Sequence, residues 1–264
     1  MHPRLSTCRD GNKGEAYMLD QFSRSRILLG TEAMNKLADS RVIIFGVGGV
    51  GSYVAEGLVR CGVGHFILVD SDTVSLTNIN RQIHATTKTV GQPKTKVMAE
   101  RMREINPQVE VREISEFYLP DNSELFFKAE YGKIDYIVDA IDTVKSKIDL
   151  AVEAQKRQIP IISSMGAANK LNPAMLQVAD IYKTTVCPLA RAMRQKLKKL
   201  GVKKLKVVYS QEEPLKPMLI EGQMEKPAGS KYTTPGSMSF VPSVAGMIAA
   251  SEVAKDLCGI KKNR

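Results

Sequence analysis

One short loop of the sequence, residues 76–85, concentrates polar side chains in the run LTNINRQIHA. It places Asn78, Asn80, Arg81 and Gln82 close together along the chain. A plain turn does not need so many hydrogen-bond donors, whereas a guanidinium and side-chain amides suit the oxygen atoms of a phosphate group. The loop therefore predicts contacts with a phosphorylated ligand.

A glycine-rich turn precedes this loop. The residues GVGGVGS at 46–52 follow the apolar run RVIIF and open a helical pattern, and the next apolar run, HFILV, ends at Asp70. Glycine lets a phosphate approach the backbone, the following helix N-terminus favours negative charge, and the acid can accept hydrogen bonds from ribose hydroxyls. Asp72 either joins Asp70 at the ribose or caps the turn. The pattern predicts a nucleotide site formed by Gly46, Gly48, Gly49, Gly51 and Asp70.

Two further residues favour ATP over NAD as that nucleotide. Lys94, at the start of a predicted helix, adds a second cation to Arg81, and Asp142 adds a carboxylate after the run DYIVDAI. An NAD-dependent dehydrogenase opens with the same glycine turn but needs a hydride-transfer site. Two cations and a carboxylate instead suit a triphosphate with Mg²⁺. The predicted ATP site adds Asn78, Asn80, Arg81, Gln82, Lys94 and Asp142 to the glycines, with Asp142 as the magnesium ligand.

The elements that must position these residues follow from the alternation of apolar runs with helical periodicity. Strands are predicted at residues 41–49, 65–70, 109–114, 134–140 and 159–166, with helices at 50–64, 93–105 and 143–158 between them. Pro93 suits the first turn of a helix, where its missing N–H costs nothing. Strands that alternate with helices predict an α/β fold with a doubly wound, mostly parallel sheet.

The pattern is less regular after residue 166. A strand-like run at 174–181, a basic helix at 189–200, another strand at 203–210 and a Gly/Pro/Ser-rich stretch at 221–239 precede an apolar helix. We divide the chain into an N-terminal extension (1–20), an ATP-binding core (21–166) and a C-terminal extension (167–264). The stretch 221–239 is expected to be a mobile or functional loop, and the last helix is expected to pack back on the sheet.

Composition restricts the class of protein and of partner. The 264 residues are 43% hydrophobic and 25% charged, which is ordinary for a globular protein. The formal charge of +10 favours nucleotides or nucleic acid as partners. Four scattered cysteines without a CxxC pair argue against a disulfide framework or a zinc site and favour a reducing cytoplasm. No secretory signal is apparent, and charges and a proline interrupt the apolar segment 240–257, so no membrane span is expected.

Five separated motifs carry a resemblance to a known superfamily. GVGGVGS, the acid at Asp70, DTVSLTNINRQ, VGQPK and DAIDT together resemble the ATP-binding core of ubiquitin-activating-enzyme-like proteins, including the adenylyltransferases of molybdopterin and thiamine biosynthesis. The resemblance covers roughly residues 21–166 and implies adenylation of a carboxylate. It implies phosphate contacts for Asn78, Arg81 and Lys94. Arg24 resembles an arginine that reaches the triphosphate across a homodimer interface, so Arg81, Lys94 and Arg24 are the expected catalytic residues.

Within this superfamily, one branch resembles the chain over most of its length. TNINRQIHA, MAERMREINP and the segment from ADIYKTT to RAMRQKLKK are similar to the tRNA threonylcarbamoyladenosine dehydratases. The resemblance implies a tRNA that carries threonylcarbamoyladenosine as substrate, ATP-driven closure of a ring, and a homodimer. A sulfur-transfer protein is a possible further partner.

Three features have an ordinary structural explanation as well as a functional one. Cys187 is either an acyl-accepting thiol or, as we favour, a packed or capping residue. His84 is either a general base or a hydrogen-bonding support, and the support is favoured. The basic run at 191–206 could be only a solvated helix face, but an RNA substrate would favour phosphate contacts there.

Three functions therefore remain distinguishable by experiment. The first is a tRNA-modifying enzyme, and the second is an adenylyltransferase that activates a sulfur-carrier or ubiquitin-like protein ending in Gly-Gly. The third is a nucleotide-binding scaffold without catalysis. The combination of Arg81, Lys94 and Asp142 argues against the third, because passive binding does not require it.

Overall fold

The computed structural model describes residues 7–8, 17–218 and 235–260, with side chains described from residue 19 onward. Most of the predicted N-terminal extension, and all of the predicted loop 221–239 except residues 235–239, lie outside the described residues. The elements are β1 (Thr7–Cys8), β2 (Tyr17–Met18), α1 (Ser23–Leu29), α2 (Thr31–Asp39), β3 (Arg41–Phe45), α3 (Gly51–Arg60), β4 (His65–Val69), α4 (Lys94–Ile105), β5 (Glu110–Ile114), β6 (Tyr136–Asp139), α5 (Val144–Arg157), β7 (Ile161–Ser164), β8 (Leu176–Asp180), α6 (Pro188–Lys199), β9 (Lys206–Ser210) and α7 (Phe240–Cys258).

Seven of the strands form one sheet, in the order β5-β4-β3-β6-β7-β9-β8. Every neighbouring pair is parallel except β8 and β9. From β3 the chain first adds β4 and β5 on one side and then returns to add β6 on the other side, so the strand order reverses between β3 and β6. Ligands of doubly wound sheets bind at such a switch point, outside the carboxyl ends of the strands. The predicted α/β, doubly wound, mostly parallel fold is confirmed.

Helices cover both faces of the sheet because its central strands are apolar on both sides. Along β3, Val42 and Ile44 pack with α3, α4 and α7, whereas Ile43 and Phe45 pack with residues of α5. Successive side chains of a strand point to opposite faces, so a buried central strand must be apolar throughout. This explains why RVIIF is a continuous apolar run rather than an alternating one.

The sheet continues across residue 166. β9 pairs with β7, and β8 pairs with β9, so the chain beyond residue 166 contributes two strands to the same sheet. Helix α7 packs against α3, with Gly246 so close that a Cβ there would lie 2.5 Å from the Val50 carbonyl oxygen. The last described helix therefore packs on the helix that begins at the glycine turn. No helix among the described residues is long and apolar enough to cross a membrane.

Candidate active site

A cavity of about 350 Å³ opens at the carboxyl ends of the central strands. Its walls come from the turns after β3, β4, β5, β6 and β7 and from the chain that enters α7. The predicted site residues that line it are Gly46, Gly48, Gly49, Asp70, Asp72, Asn78, Arg81, Gln82, Lys94 and Asp142. Three other predicted residues do not line it, namely Gly51, Asn80 and Arg24.

Gly46 and Gly51 both allow the turn to form, but for different reasons. Gly46 has a φ of +86°, and a Cβ on it would lie 2.8 Å from the Ala140 carbonyl oxygen. A Cβ on Gly51 would lie 1.8 Å from the Gly46 carbonyl oxygen. Only glycine allows the left-handed conformation at the first position and the close approach of helix to turn at the second. Gly51 is therefore a packing glycine, outside the cavity wall.

Asp70 is held in place by backbone donors. The Val47 N–H donates to Asp70 Oδ2 at 2.7 Å, and the Asp72 N–H donates to Oδ1 at 2.9 Å. Burial raises the pKa of Asp70 from its ordinary value, although Lys94 and the two N–H donors oppose that rise. Each oxygen of a carboxylate can accept a further hydrogen bond. The carboxylate therefore keeps the capacity to accept from ribose hydroxyls, and its role as a ribose ligand stays a prediction.

Lys94 lies at the first position of α4, buried among acidic groups. Its Nζ is 2.6 Å from Asp72 Oδ2 and 3.8 Å from Asp70 Oδ1. Asp72 thus acts as an ion-pair partner at the cavity wall, a role that neither sequence alternative included. Because an ammonium is a compact charge with three donors, Lys94 can serve both the Asp72 carboxylate and a phosphate oxygen.

The polar loop serves two purposes. Asn78 Oδ1 accepts from the Ser75 N–H at 3.1 Å, which closes a turn, and the Arg81 guanidinium donates from Nη1 to the Thr77 carbonyl at 2.8 Å and to Asn80 Oδ1 at 3.0 Å. Asn80 Nδ2 in turn donates to the Ser237 carbonyl at 2.9 Å. Asn80 therefore links the arginine to the chain before α7, whereas Asn78 and Arg81 themselves line the cavity.

Asp142 is an exposed carboxylate that lines the cavity from the turn after β6. In the part of the chain that the structure describes, no three His, Cys, Asp or Glu side chains form a cluster that could hold a metal ion. Mg²⁺ commonly keeps several waters and takes one or two carboxylates together with phosphate oxygens. One carboxylate in the lining of a cavity that also presents two cations meets the protein's share of that requirement, so Asp142 has the chemistry of a magnesium ligand.

Arg24 lies on the exposed surface of α1, outside the cavity of its own chain. The same helix exposes Ile27 and Leu28, at 87% and 83% of their surface, and none of its residues is buried. Within one chain, Arg24 is therefore not positioned to contact a nucleotide.

His84 and Cys187 are both buried outside the cavity wall. Burial, together with the positive charges of Lys94 and Arg101, lowers the pKa of His84 to about 4. Neither ring nitrogen has a hydrogen-bond partner among the described residues, so the favoured role as a hydrogen-bonding support has no partner there. Cys187 packs in the cluster that contains Met193 and Leu197, and its side chain forms no hydrogen bond at the start of α6. That placement favours packing over capping.

Replacing His84 by phenylalanine should reduce the amount by which the free energy of unfolding falls when the pH is lowered from 7 to 4.5. The unfolded imidazole, with a pKa near 6.5, takes up a proton that the folded one, with a pKa of about 4, resists. Stability from this residue is therefore full above pH ~6.5 and is lost as the pH falls towards 4, by up to about 3 kcal/mol. Urea unfolding at pH 7 and pH 4.5 measures the difference. Equal losses for variant and wild type would contradict it.

The cavity also contains residues that sequence reasoning missed. Phe117 follows β5, Ala167 and Ala168 follow β7, Ser237 precedes α7 and Pro242 lies in its first turn. Phe117 could have been found, because it follows the carboxyl end of a predicted strand. The other positions depend on strand order and on helix packing, which no local signal reveals.

Comparison with known proteins identifies the family of this chain. The ThiF family matches residues 22–264. The chain belongs to the ThiF family. Among its ThiF relatives, the tRNA threonylcarbamoyladenosine dehydratase of Bacillus subtilis (strain 168) is 47% identical, over 91% of this chain and 95% of the relative.

Solved structures agree on the fold of this ThiF protein. The Escherichia coli tRNA N6-threonylcarbamoyladenosine dehydratase in complex with AMP matches with a TM-score of 0.80 and 35% identity, over 90% of this chain and 94% of that one. The same E. coli enzyme in complex with ATP matches with a TM-score of 0.79 and 34% identity, at the same coverage. Both solved structures therefore hold adenine nucleotides on the fold described above.

Proposed function

We propose that this protein catalyses the ATP-dependent dehydration and cyclisation of threonylcarbamoyladenosine in tRNA. The observation that carries the proposal is the 47% identity to the B. subtilis dehydratase, which extends over nearly the full length of both chains. The cavity supports it independently, because two cations, Arg81 and Lys94, and the carboxylate of Asp142 all line it. The sequence resemblance to this branch of the family is confirmed by the comparison.

The cavity chemistry suits activation of a carboxylate. A carboxylate is a poor acyl donor because oxide would have to leave, whereas AMP leaves readily. Attack of a carboxylate oxygen on the α-phosphorus of ATP releases pyrophosphate and builds negative charge on the phosphate oxygens. Lys94 and Arg81 are preorganised cations beside the glycine turn, and cations aimed at developing charge stabilise such a transition state by several kcal/mol.

Ring closure needs little more than orientation. The carbamoyl group of the same nucleoside attacks the activated carbonyl, AMP departs, and the net change is the loss of one water from the nucleoside with ATP converted to AMP and pyrophosphate. Because the two reacting groups belong to one molecule, holding them in a productive geometry supplies a large effective concentration. No protein nucleophile is required, which fits the buried position of Cys187 outside the cavity.

Asp142 is the residue we propose for binding Mg²⁺. When bound, the metal would neutralise phosphate charge and orient the triphosphate. Its exposed carboxylate, in the lining of the cavity that also holds Arg81 and Lys94, supports the assignment.

The decisive experiment uses the purified protein, ATP, Mg²⁺ and tRNA that carries threonylcarbamoyladenosine. Mass spectrometry of the digested tRNA should show a nucleoside lighter by one water, formed only with ATP. If the tRNA stays unmodified while a Gly-Gly-ending carrier protein stimulates exchange of pyrophosphate into ATP, the function is that of a carrier-activating adenylyltransferase instead.

The RNA surface we propose is the exposed face of α6 together with Lys183 before it and the turn after it. Ala190, Met193 and Leu197 face the core, and no acidic residue occurs between Lys183 and Lys206. The exposed cations are Lys183, Arg191, Lys196, Lys198, Lys199, Lys203 and Lys204. Such a surface, which carries charge of one sign only, attracts RNA phosphates.

A tRNA substrate also implies a cytoplasmic enzyme. A sulfur-transfer protein as a further partner stays a prediction.

We also propose a homodimer in which Arg24 of each copy reaches the nucleotide of the other. The exposed Ile27 and Leu28 beside Arg24 support an interface there. Arg24→Ala and Lys94→Met should each be inactive, yet a mixture should recover about a quarter of wild-type activity, because half the dimers are mixed and each has one intact site. Turnover by the co-refolded mixture is the measurement. A mixture that forms mixed dimers but stays inactive excludes the shared site.

A further inference from the structure

Three buried polar side chains form a hydrogen-bonded network next to the turn that carries Asp142. Lys147 Nζ lies 3.0 Å from Asp139 Oδ1, and Ser163 Oγ donates to Asp139 Oδ2 at 2.5 Å. All three residues are 0% exposed. Asp139 ends β6, Ser163 lies in β7 and Lys147 lies in the first turn of α5. The network therefore ties together the two strands and the helix that flank the Asp142 wall.

The same ammonium reaches the wall itself. Lys147 Nζ donates to the Ile141 carbonyl at 3.1 Å. Ile141 precedes Asp142, and both line the cavity, whereas Lys147, Asp139 and Ser163 do not. On its other side the turn is fixed by the Ala140 N–H, which donates to the Phe45 carbonyl at 2.8 Å. The backbone that carries Asp142 is thus anchored from β3 and from a buried cation.

Stability alone does not account for this arrangement. Burying an ammonium and a carboxylate costs several kcal/mol in lost hydration, and a well-packed apolar pair of similar volume is often equally or more stable. Groups that hydrogen-bond the backbone or side chain of a metal ligand instead fix its orientation. The free energy spent on burying Lys147 and Asp139 is therefore explained by the fixed geometry that they give to the turn carrying Asp142.

We infer that Lys147, supported by Asp139 and Ser163, is a positioning residue that holds the Ile141–Asp142 turn so that the Asp142 carboxylate meets a metal ion on the triphosphate. It acts through the Ile141 carbonyl and touches neither nucleotide nor substrate. The inference rests on the proposed ATP and Mg²⁺ site and is independent of the acceptor that ATP activates.

The test compares three variants by calorimetric titration of ATP at several Mg²⁺ concentrations, without tRNA. Lys147→Met combined with Asp139→Asn removes both buried charges, so no uncompensated charge disturbs folding. Lys147→Arg keeps a cation and a donor, and Ser163→Ala removes one hydrogen bond. Thermal unfolding of each variant reports the fold separately.

The double variant should need at least about tenfold more Mg²⁺ for half-maximal ATP affinity, which is the usual effect of removing support from a metal ligand. Lys147→Arg should recover most of that loss, and Ser163→Ala should show a smaller shift in the same direction. A folded double variant with wild-type Mg²⁺ dependence overturns the inference. So does a Ser163→Ala variant that loses thermal stability while keeping wild-type Mg²⁺ dependence.

A failed proposed function is distinguishable from a failed inference. Wild-type protein that binds ATP with Mg²⁺ but leaves modified tRNA unchanged contradicts the dehydratase and still permits every titration above. Wild-type protein that modifies tRNA, with variants unchanged in Mg²⁺ dependence, contradicts only the role of Lys147.

Discussion

Replacing Lys94 by methionine should lower ATP turnover by about 10²- to 10³-fold, the usual effect of removing one preorganised charge from a transition state. Methionine keeps the length of the buried stem at the start of α4 but cannot donate to phosphate. The Asp72 carboxylate that loses its partner is largely exposed and stays hydrated, so the fold should survive. Pyrophosphate release in the presence of modified tRNA is the measurement, with ATP affinity measured separately.

Lys96→Met provides the matched control, two residues further along the same helix. Lys96 is about half exposed and pairs only loosely with Glu100, with 4.0 Å between the charged atoms. Its replacement removes the same charge from the protein without approaching the cavity and should leave turnover unchanged. Equal effects of the two substitutions would mean that net charge, rather than a charge placed at the phosphates, governs turnover.

Reversing the charge of four lysines, two at the end of α6 and two in the turn after it, should weaken tRNA binding by about 10²-fold or more at physiological salt. The quadruple variant changes Lys198, Lys199, Lys203 and Lys204 to glutamate. If all four lysines contact phosphates of a duplex region of the tRNA, the slope of log affinity against log salt should also become shallower by about three to four units, because each contact contributes about 0.9. Filter binding at several salt concentrations measures both quantities.

ATP affinity should be unaffected by the same variant. Lys203 and Lys204 precede β9 at its amino end, whereas the cavity lies at the carboxyl ends of the parallel strands. A control with the same change in net charge reverses four exposed lysines elsewhere, Lys88, Lys96, Lys128 and Lys133. Loss of tRNA affinity in both variants would assign the effect to overall charge instead of to the α6 surface.

Local signals in the sequence predicted the elements well where they were strong. The helix predicted at 93–105 is Lys94–Ile105, and the basic helix predicted at 189–200 is Pro188–Lys199. The central strands were predicted one to four residues too long at their carboxyl ends, because the apolar and glycine runs continue into the turns that form the cavity. Periodicity, proline at a helix start and glycine after a strand are all encoded within a few residues of the feature they specify.

Two features of the site could not be predicted in this way. Asn80 was assigned to the nucleotide, but its amide donates to Ser237, 157 residues along the chain. Lys147 was not singled out, because a lysine in a predicted helix normally faces solvent. Each depends on which distant segment the fold brings alongside, and pairing over such separations leaves no periodic trace in the sequence.

The wall contributed by Ser237 and Pro242 has a consequence during synthesis of the protein. The glycine turn and the polar loop are translated early. The pocket that they line is complete only after residue 242 has been translated and α7 has packed against α3. A nascent chain is thereby prevented from holding ATP in a finished site. Gain of nucleotide affinity would report that translation has passed this point.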